Sequence, residues 1–160
     1  EVTTFCVDPV PEYLIFLPKS HLIVSNHLLF REKYDLVITV DSSNYELTAV
    51  KELLGVLPAK YTLINIDHHI SNPQYGDINL VLTDSSSTSE IIYRLMKDWS
   101  IDWNKDIASN LACGIITDTG GLKNPATNYR SIAAISDLIA KGANINKIIS
   151  NALNKPQLNQ

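Results

Sequence analysis

The stretch Tyr61-Thr62-Leu63-Ile64-Asn65-Ile66-Asp67-His68-His69 governs how the rest of the chain folds and what it binds. Its apolar run, Leu63 to Ile66, predicts a buried strand that ends in an aspartate and two histidines. A buried carboxylate has to be paired or coordinated. In an open parallel sheet, ligands bind just beyond the carboxyl ends of the strands. Three potential metal ligands at such a place point to a bound cation. The plain alternative is a strand-end turn with two solvated histidines.

Upstream, Leu36 to Val40 is β-branched and almost uncharged, which predicts a second buried strand. It ends in Asp41, followed by Ser42 and Ser43. Residues 45–54 have helical spacing, with Leu47, Val50, Leu53 and Leu54 on one face and Gly55 beyond the end. A strand–helix–strand unit of about 30 residues implies a parallel pair with a right-handed crossover. Both strands then deliver an aspartate, Asp41 and Asp67, to one edge of the sheet.

The remaining elements extend this α/β pattern. Val2 to Val7 predicts a strand closed by Asp8-Pro9. Residues 9–18 hold three prolines in a packed irregular loop, and Leu22 to Arg31 is ambiguous, compatible with a short strand and a turn of helix without deciding it. Ile78 to Leu82 predicts another strand, and Ser87-Thr88-Ser89-Glu90 a capping box that opens a helix through Trp99. A helix from about Trp103 through Ile116 meets Asp118-Thr119-Gly120-Gly121, where paired glycines stop it. Tyr129 to Lys141 and roughly 144–153 predict two more. Trp99 and Trp103 are expected to pack between helices.

At 160 residues the chain is long enough for one domain with a substantial core. A net charge of −4 argues against a broad basic nucleic-acid surface, though not against metal ions that neutralise phosphate. Cys6 and Cys113 each lie in an apolar run and read as small buried side chains. No apolar run approaches a membrane span, which leaves a cytoplasmic protein as the default expectation.

Asp41, Asp67, His68 and Asp118 are hard oxygen donors with one imidazole, all at element ends. Such a set suits manganese, magnesium or similar divalent ions. Two such ions a few ångströms apart can activate water and stabilise both oxygens of an in-line phosphoryl displacement. Phosphoester hydrolysis is the chemistry this composition favours. Taken singly, Asp41 could cap a helix, Asp118 could open a glycine turn and His69 could be held by hydrogen bonding. Lys123 and Arg130 read as solvated surface, and Ser85 to Ser87 as helix-capping residues.

Val-Asp-Ser-Ser at 40–43, Asp-His-His at 67–69 and Gly-Ile-Ile-Thr-Asp-Thr-Gly-Gly at 114–121 occur in order on suitable elements. Together they resemble motifs two, three and four of the DHH phosphoesterase superfamily. The branch most resembled is that of the nanoRNase and 3′-phosphoadenosine-5′-phosphate (pAp) phosphatases. The resemblance implies a Rossmann-like parallel sheet flanked by helices. It implies Asp41 bridging two metal ions, with His68 and Asp118 holding the second. Asp67 would be a ligand or the group orienting His68, and His69 would face the substrate phosphate. Manganese is the implied ion, with magnesium or cobalt as substitutes. The implied substrates are short oligonucleotides or nucleotide phosphates, and the implied full-length protein is a possible homodimer.

The family's first motif, a histidine and aspartates after a first strand, is expected ahead of Glu1, and the substrate-binding carboxyl-terminal domain beyond Gln160. The expectation is a partial DHH domain over 1–153, with a polar tail or linker at 154–160. Its first metal site would be incomplete, its turnover weak or absent and its sheet short of a strand. Manganese pyrophosphatases or polyphosphatases, cyclic-dinucleotide phosphodiesterases and RecJ-type exonucleases share the core. A non-catalytic binding or scaffold domain is the alternative of another class.

Overall fold

A computed structural model describes residues 2–43 and 50–153. Two short parallel strands come first, β1 (Thr4–Phe5) and β2 (Ile23–Val24). The proline-containing loop between them takes single helical turns at Glu12–Leu14 and Ser20–Leu22, and packs Leu14, Phe16 and Leu17 on the core. After β2 comes the helical turn His27–Arg31, where the Asn26 side chain accepts the N–H of Leu28.

The second sheet holds β3 (Leu36–Val40), β4 (Thr62–Asp67) and β5 (Ile78–Val81), parallel and in that order. Val40 lies opposite Ile66 and Asp67 opposite Val81, so the chain leaves all three strands at one edge. The helix α1 (Val50–Gly55) lies between β3 and β4 in the chain, and Gly55 is its last residue. Its expected start at residue 45, and Leu47 with it, fall outside the described residues, as does the expected tail at 154–160.

Four further helices follow, each with a polar N-cap. Ser87 caps α2 (Thr88–Asp98), Asn104 caps α3 (Lys105–Asp118), Asn128 caps α4 (Tyr129–Ala140) and Asn144 caps α5 (Ile145–Ile148). These side chains satisfy N–H groups that a first turn leaves without partners. A wider π-type turn, Ile149–Leu153, continues α5. The core lies among these helices, with Ile91 of α2, Ala108, Ala112 and Ile115 of α3, Leu138 of α4 and Ile148 of α5 all buried. Gly114 lets α2 and α3 approach closely: a Cβ there would lie 2.0 Å from the Ser89 hydroxyl oxygen.

Six local expectations change. Only half of the capping box forms. Ser87 accepts the N–H of Glu90, but the Glu90 carboxylate passes Ser87 and takes the N–H and hydroxyl of Ser86 at 2.9 and 2.6 Å. Two donors on one oxygen suit a fully buried carboxylate better than one. The opening strand is two residues long, and Cys6, beyond its end, is exposed. Leu36, Ile38 and Val40 of β3 are exposed by 48, 51 and 51%. β3 is an edge strand, and a groove of about 240 Å³ lies between it and Thr3, Phe5 and Phe30. Trp99 is exposed, past the end of α2, whereas Trp103 stacks on Tyr93 at 5.3 Å. Arg130 is tied down and not merely solvated: its Nη2 contacts Asp84 Oδ2 at 2.5 Å, and its Nε lies 3.8 Å from Glu90 Oε1. Among the described residues no helix is long and apolar enough to cross a membrane.

Candidate metal centre

The parallel register of β3 and β4 brings Asp41 beside the end of the neighbouring strand, where its N–H donates to the carbonyl of Ile66 at 3.0 Å. The ladder thus continues one residue past β3 and then turns sharply. Asp41 itself has φ +56°, a left-handed conformation that asparagine and aspartate tolerate better than most residues. From the first turn of α2, Thr88 Oγ1 donates to Asp41 Oδ1 at 2.8 Å.

Asp67 ends β4 and is fully buried. Its Oδ1 accepts the N–H of His68 at 2.8 Å and lies 2.8 Å from His69 Nδ1. Its Oδ2 accepts the Asn72 amide at 2.6 Å. Burial alone would push this carboxyl up. The hydrogen bonds from Asn72, His69 and the two histidine N–H groups outweigh that and hold it below the usual carboxylate range. The same contact raises His69: the Asp67 hydrogen bond dominates, desolvation opposes it, and the charges of Asp67, Asp41 and Asp118 add to it.

The His68 ring turns the other way. Its Nε2 lies 3.1 Å from Asp118 Oδ2, at the last residue of α3, and 3.5 Å from Asp41 Oδ1. Yet that nitrogen is buried and makes no hydrogen bond. Burial pushes the Asp118 carboxyl up; His68 lowers it and Asp41 raises it again. Beyond α3 the backbone doubles back through Gly120 and Gly121, both at positive φ, with Gly121 N–H on the carbonyl of Ile116 at 2.7 Å. Asn124 holds the carbonyl of Asp118 at 2.9 Å.

The structure therefore brings all five sequence-predicted site residues to one place. Asp41, Asp67, His68 and His69 each offer a ligand atom within 4.8 Å of the others, and Asp118 meets His68 from α3. A buried imidazole nitrogen that makes no hydrogen bond yet faces two carboxylates at 3.1 and 3.5 Å is an arrangement a divalent cation between them would satisfy. Carboxylate oxygens with imidazole nitrogen, and no thiolate, suit manganese, magnesium or a similar divalent ion. These residues fit such an ion.

Four supporting residues were not among the expected site residues: Asn65, Asn72, Asn79 and Thr88. A sequence signal existed for one of them. Asparagine is disfavoured in strands, and Asn65 sits in the middle of an otherwise apolar run.

Sequence and fold comparisons agree with this geometry. The N-terminal domain of the DHH family matches residues 4–115. A "bifunctional oligoribonuclease and PAP phosphatase NrnA" of Thermus thermophilus is 28% identical over 138 residues, covering 86% of this chain and 40% of the relative. A "probable manganese-dependent inorganic pyrophosphatase" of Streptococcus equi is 38% identical over 82 residues, covering 46% of this chain and 25% of the relative. The solved structure of an exopolyphosphatase-related protein from Bacteroides fragilis superposes with a TM-score of 0.83 at 24% identity, over 96% of this chain and 47% of that one. The chain thus spans less than half the length of each of these proteins. With the family's N-terminal domain matched across most of its length, and the Asp-His-His residues at the strand end where the fold gathers its acidic groups, the chain belongs to the DHH family.

Proposed function

We propose that this chain forms the metal-binding part of a divalent-metal-dependent phosphoesterase acting on short oligonucleotides and on nucleotide phosphates such as pAp. One observation carries the reading: the buried Nε2 of His68, without a hydrogen bond, facing the carboxylates of Asp41 and Asp118 at 3.5 and 3.1 Å. On this reading Asp41, His68 and Asp118 hold manganese, or magnesium or cobalt in its place. Both Asp67 oxygens already accept protein donors, so Asp67 acts as the group that aims a histidine. The ring it aims is His69, by a side-chain contact, whereas His68 meets Asp67 through its backbone.

A bound divalent ion supplies charge that polarises water and offsets the negative charge developing on phosphate. The protein's own groups do the rest. Asp41 and Asp118 set their carboxyl groups next to the buried His68. His69, the more exposed of the two rings, offers Nε2 to a phosphate oxygen. The relative named for oligoribonuclease and PAP phosphatase activity supports the substrate class, and the pyrophosphatase relative supports manganese. It also keeps pyrophosphate as a second substrate to test. The remaining length of these relatives is where a substrate-binding domain and any homodimer contact belong on this reading.

The test incubates the full chain with manganese and with, separately, a ribodinucleotide, pAp and pyrophosphate. Phosphate or nucleotide release that Asp41→Ala and His68→Ala both abolish supports the proposal. Release from pyrophosphate alone moves the assignment to the second substrate. Metal binding without turnover of any of them defeats the catalytic reading of this chain and leaves a binding domain.

A further inference from the structure

Building on the proposed role of His69, we propose that Asn72 is a positioning residue that locks the Asp67 carboxylate. Asp67 then presents the His69 ring with Nδ1 occupied and Nε2 free for the substrate. Asn72 lies in the loop between β4 and β5 and is 8% exposed. Its amide donates to Asp67 Oδ2 at 2.6 Å, the shortest contact that carboxylate makes.

The direction of the Asn72 amide is itself fixed. Its Oδ1 accepts from Asn65 Nδ2 at 2.9 Å and from the N–H of Gln74 at 2.8 Å. Flipping the amide would set its NH₂ against both donors and its oxygen against a carboxylate. Asn65 is anchored in turn by Asn79 Oδ1 at 3.1 Å, and Asn79 closes on Gly76 through the Gly76 N–H at 3.0 Å and carbonyl at 2.7 Å. A relay thus runs from Asn79 on β5 through Asn65 on β4 and Asn72 in the loop to Asp67, and ends at His69.

The relay has a chemical consequence. A carboxylate turns about its last bond, and Asp67 can do so only by giving up the Asn72 amide. With Oδ2 anchored, Oδ1 stays on Nδ1 of His69 at 2.8 Å, and an acceptor there demands a proton on that nitrogen. Any hydrogen bond or proton exchanged with substrate then passes through Nε2. A merely structural network would satisfy the buried amides and leave the His69 tautomer indifferent to residue 72.

The test uses the full chain, ¹⁵N-labelled and metal-free, in alkaline buffer, with His69 signals assigned by their loss in His69→Gln. In the unsubstituted chain the neutral His69 ring is expected as the single Nδ1–H tautomer. One Asn72 side-chain amide proton is expected downfield and protected from exchange. In Asn72→Ala the His69 signature is expected to collapse into a mixture of tautomers, while the manganese-induced rise in melting temperature persists. A single Nδ1–H tautomer retained in folded Asn72→Ala overturns the proposal. So does an Asn72 amide proton at the position of a solvated asparagine in the unsubstituted chain, and that measurement decides alone where the variant fails to fold. Neither readout needs metal or turnover, so a failure of the phosphoesterase reading shows up separately, as absent metal binding or hydrolysis.

Discussion

Thr88 and Asp41, 47 residues apart, share a 2.8 Å hydrogen bond that ties the first turn of α2 to the carboxylate at the end of β3. Thr88 is 5% exposed, so water replaces that bond poorly. Thr88→Val keeps the shape and removes the donor. It is expected to cost about 1–2 kcal/mol in chemical denaturation. It is also expected to reduce the manganese-dependent rise in melting temperature, because Asp41 loses the restraint on its oxygen. An unchanged manganese response in Thr88→Val would show that Asp41 is held well enough by its backbone.

Manganese itself should stabilise the chain. A ligand that binds only the folded state contributes about 2.7 kcal/mol at a hundredfold excess over its Kd. Melting curves recorded across a manganese titration are expected to shift upward, and His68→Ala and Asp118→Asn are expected to remove the shift. A wild-type curve insensitive to manganese sinks the metal assignment.

Stability of the metal-free chain should follow pH in a defined way. The His69 value is raised above its ordinary 6.5, chiefly by Asp67. Its contribution is therefore complete below 6.5 and disappears as pH climbs through the raised value. Asp67 is lowered from 3.8, so its contribution is present above 3.8 and disappears as pH falls through the lowered value. Asp118 is raised and works against the fold as it ionises. Urea midpoints should form a plateau on the acidic side of neutrality and fall toward alkaline pH. His69→Gln should flatten the alkaline decline; a decline of equal size in that variant assigns it to another group.

Gly114→Ala probes the helix contact behind the site. Alanine normally favours a helix interior by about 0.5–1 kcal/mol over glycine. Here the added carbon meets Ser89 Oγ at 2.0 Å and its Cβ at 2.8 Å. The expected outcome is a net loss of about 1–3 kcal/mol. Pairing it with Ser89→Gly should recover part of that, measured as a double-mutant cycle. Additive losses would place the strain elsewhere.

Much of the architecture is written in local pattern. The apolar runs beginning at Leu63 and Ile78, the polar cap Ser87, and the glycines at 120 and 121 act within a few residues of themselves, so spacing reveals them. Asp41 and Asp67 could be placed together because parallel strands share an edge. Burial is different, since it depends on what packs opposite. Nothing in Leu-Val-Ile-Thr-Val tells an edge strand from a central one, and β3 proved half exposed. Cys6 looked buried for the same reason. The Asn65–Asn72–Asn79 network was hidden because each amide is ordinary alone and meaningful only through partners seven and fourteen residues away along the chain.

The helix α3 fills the middle of the hydrophobic core with Ile115 and Ile116 and ends, two residues later, on Asp118. No joint separates the two. Coordination geometry is what distinguishes a small octahedral ion from a larger, more forgiving one. With the proposed metal role, trimming a methyl group from Ile115 would reach beyond thermal resistance: a tilt of this one rod would change the spacing of Asp118 from Asp41, and with it which ion fits between them. Ion selectivity would then be in part a property of the hydrophobic core.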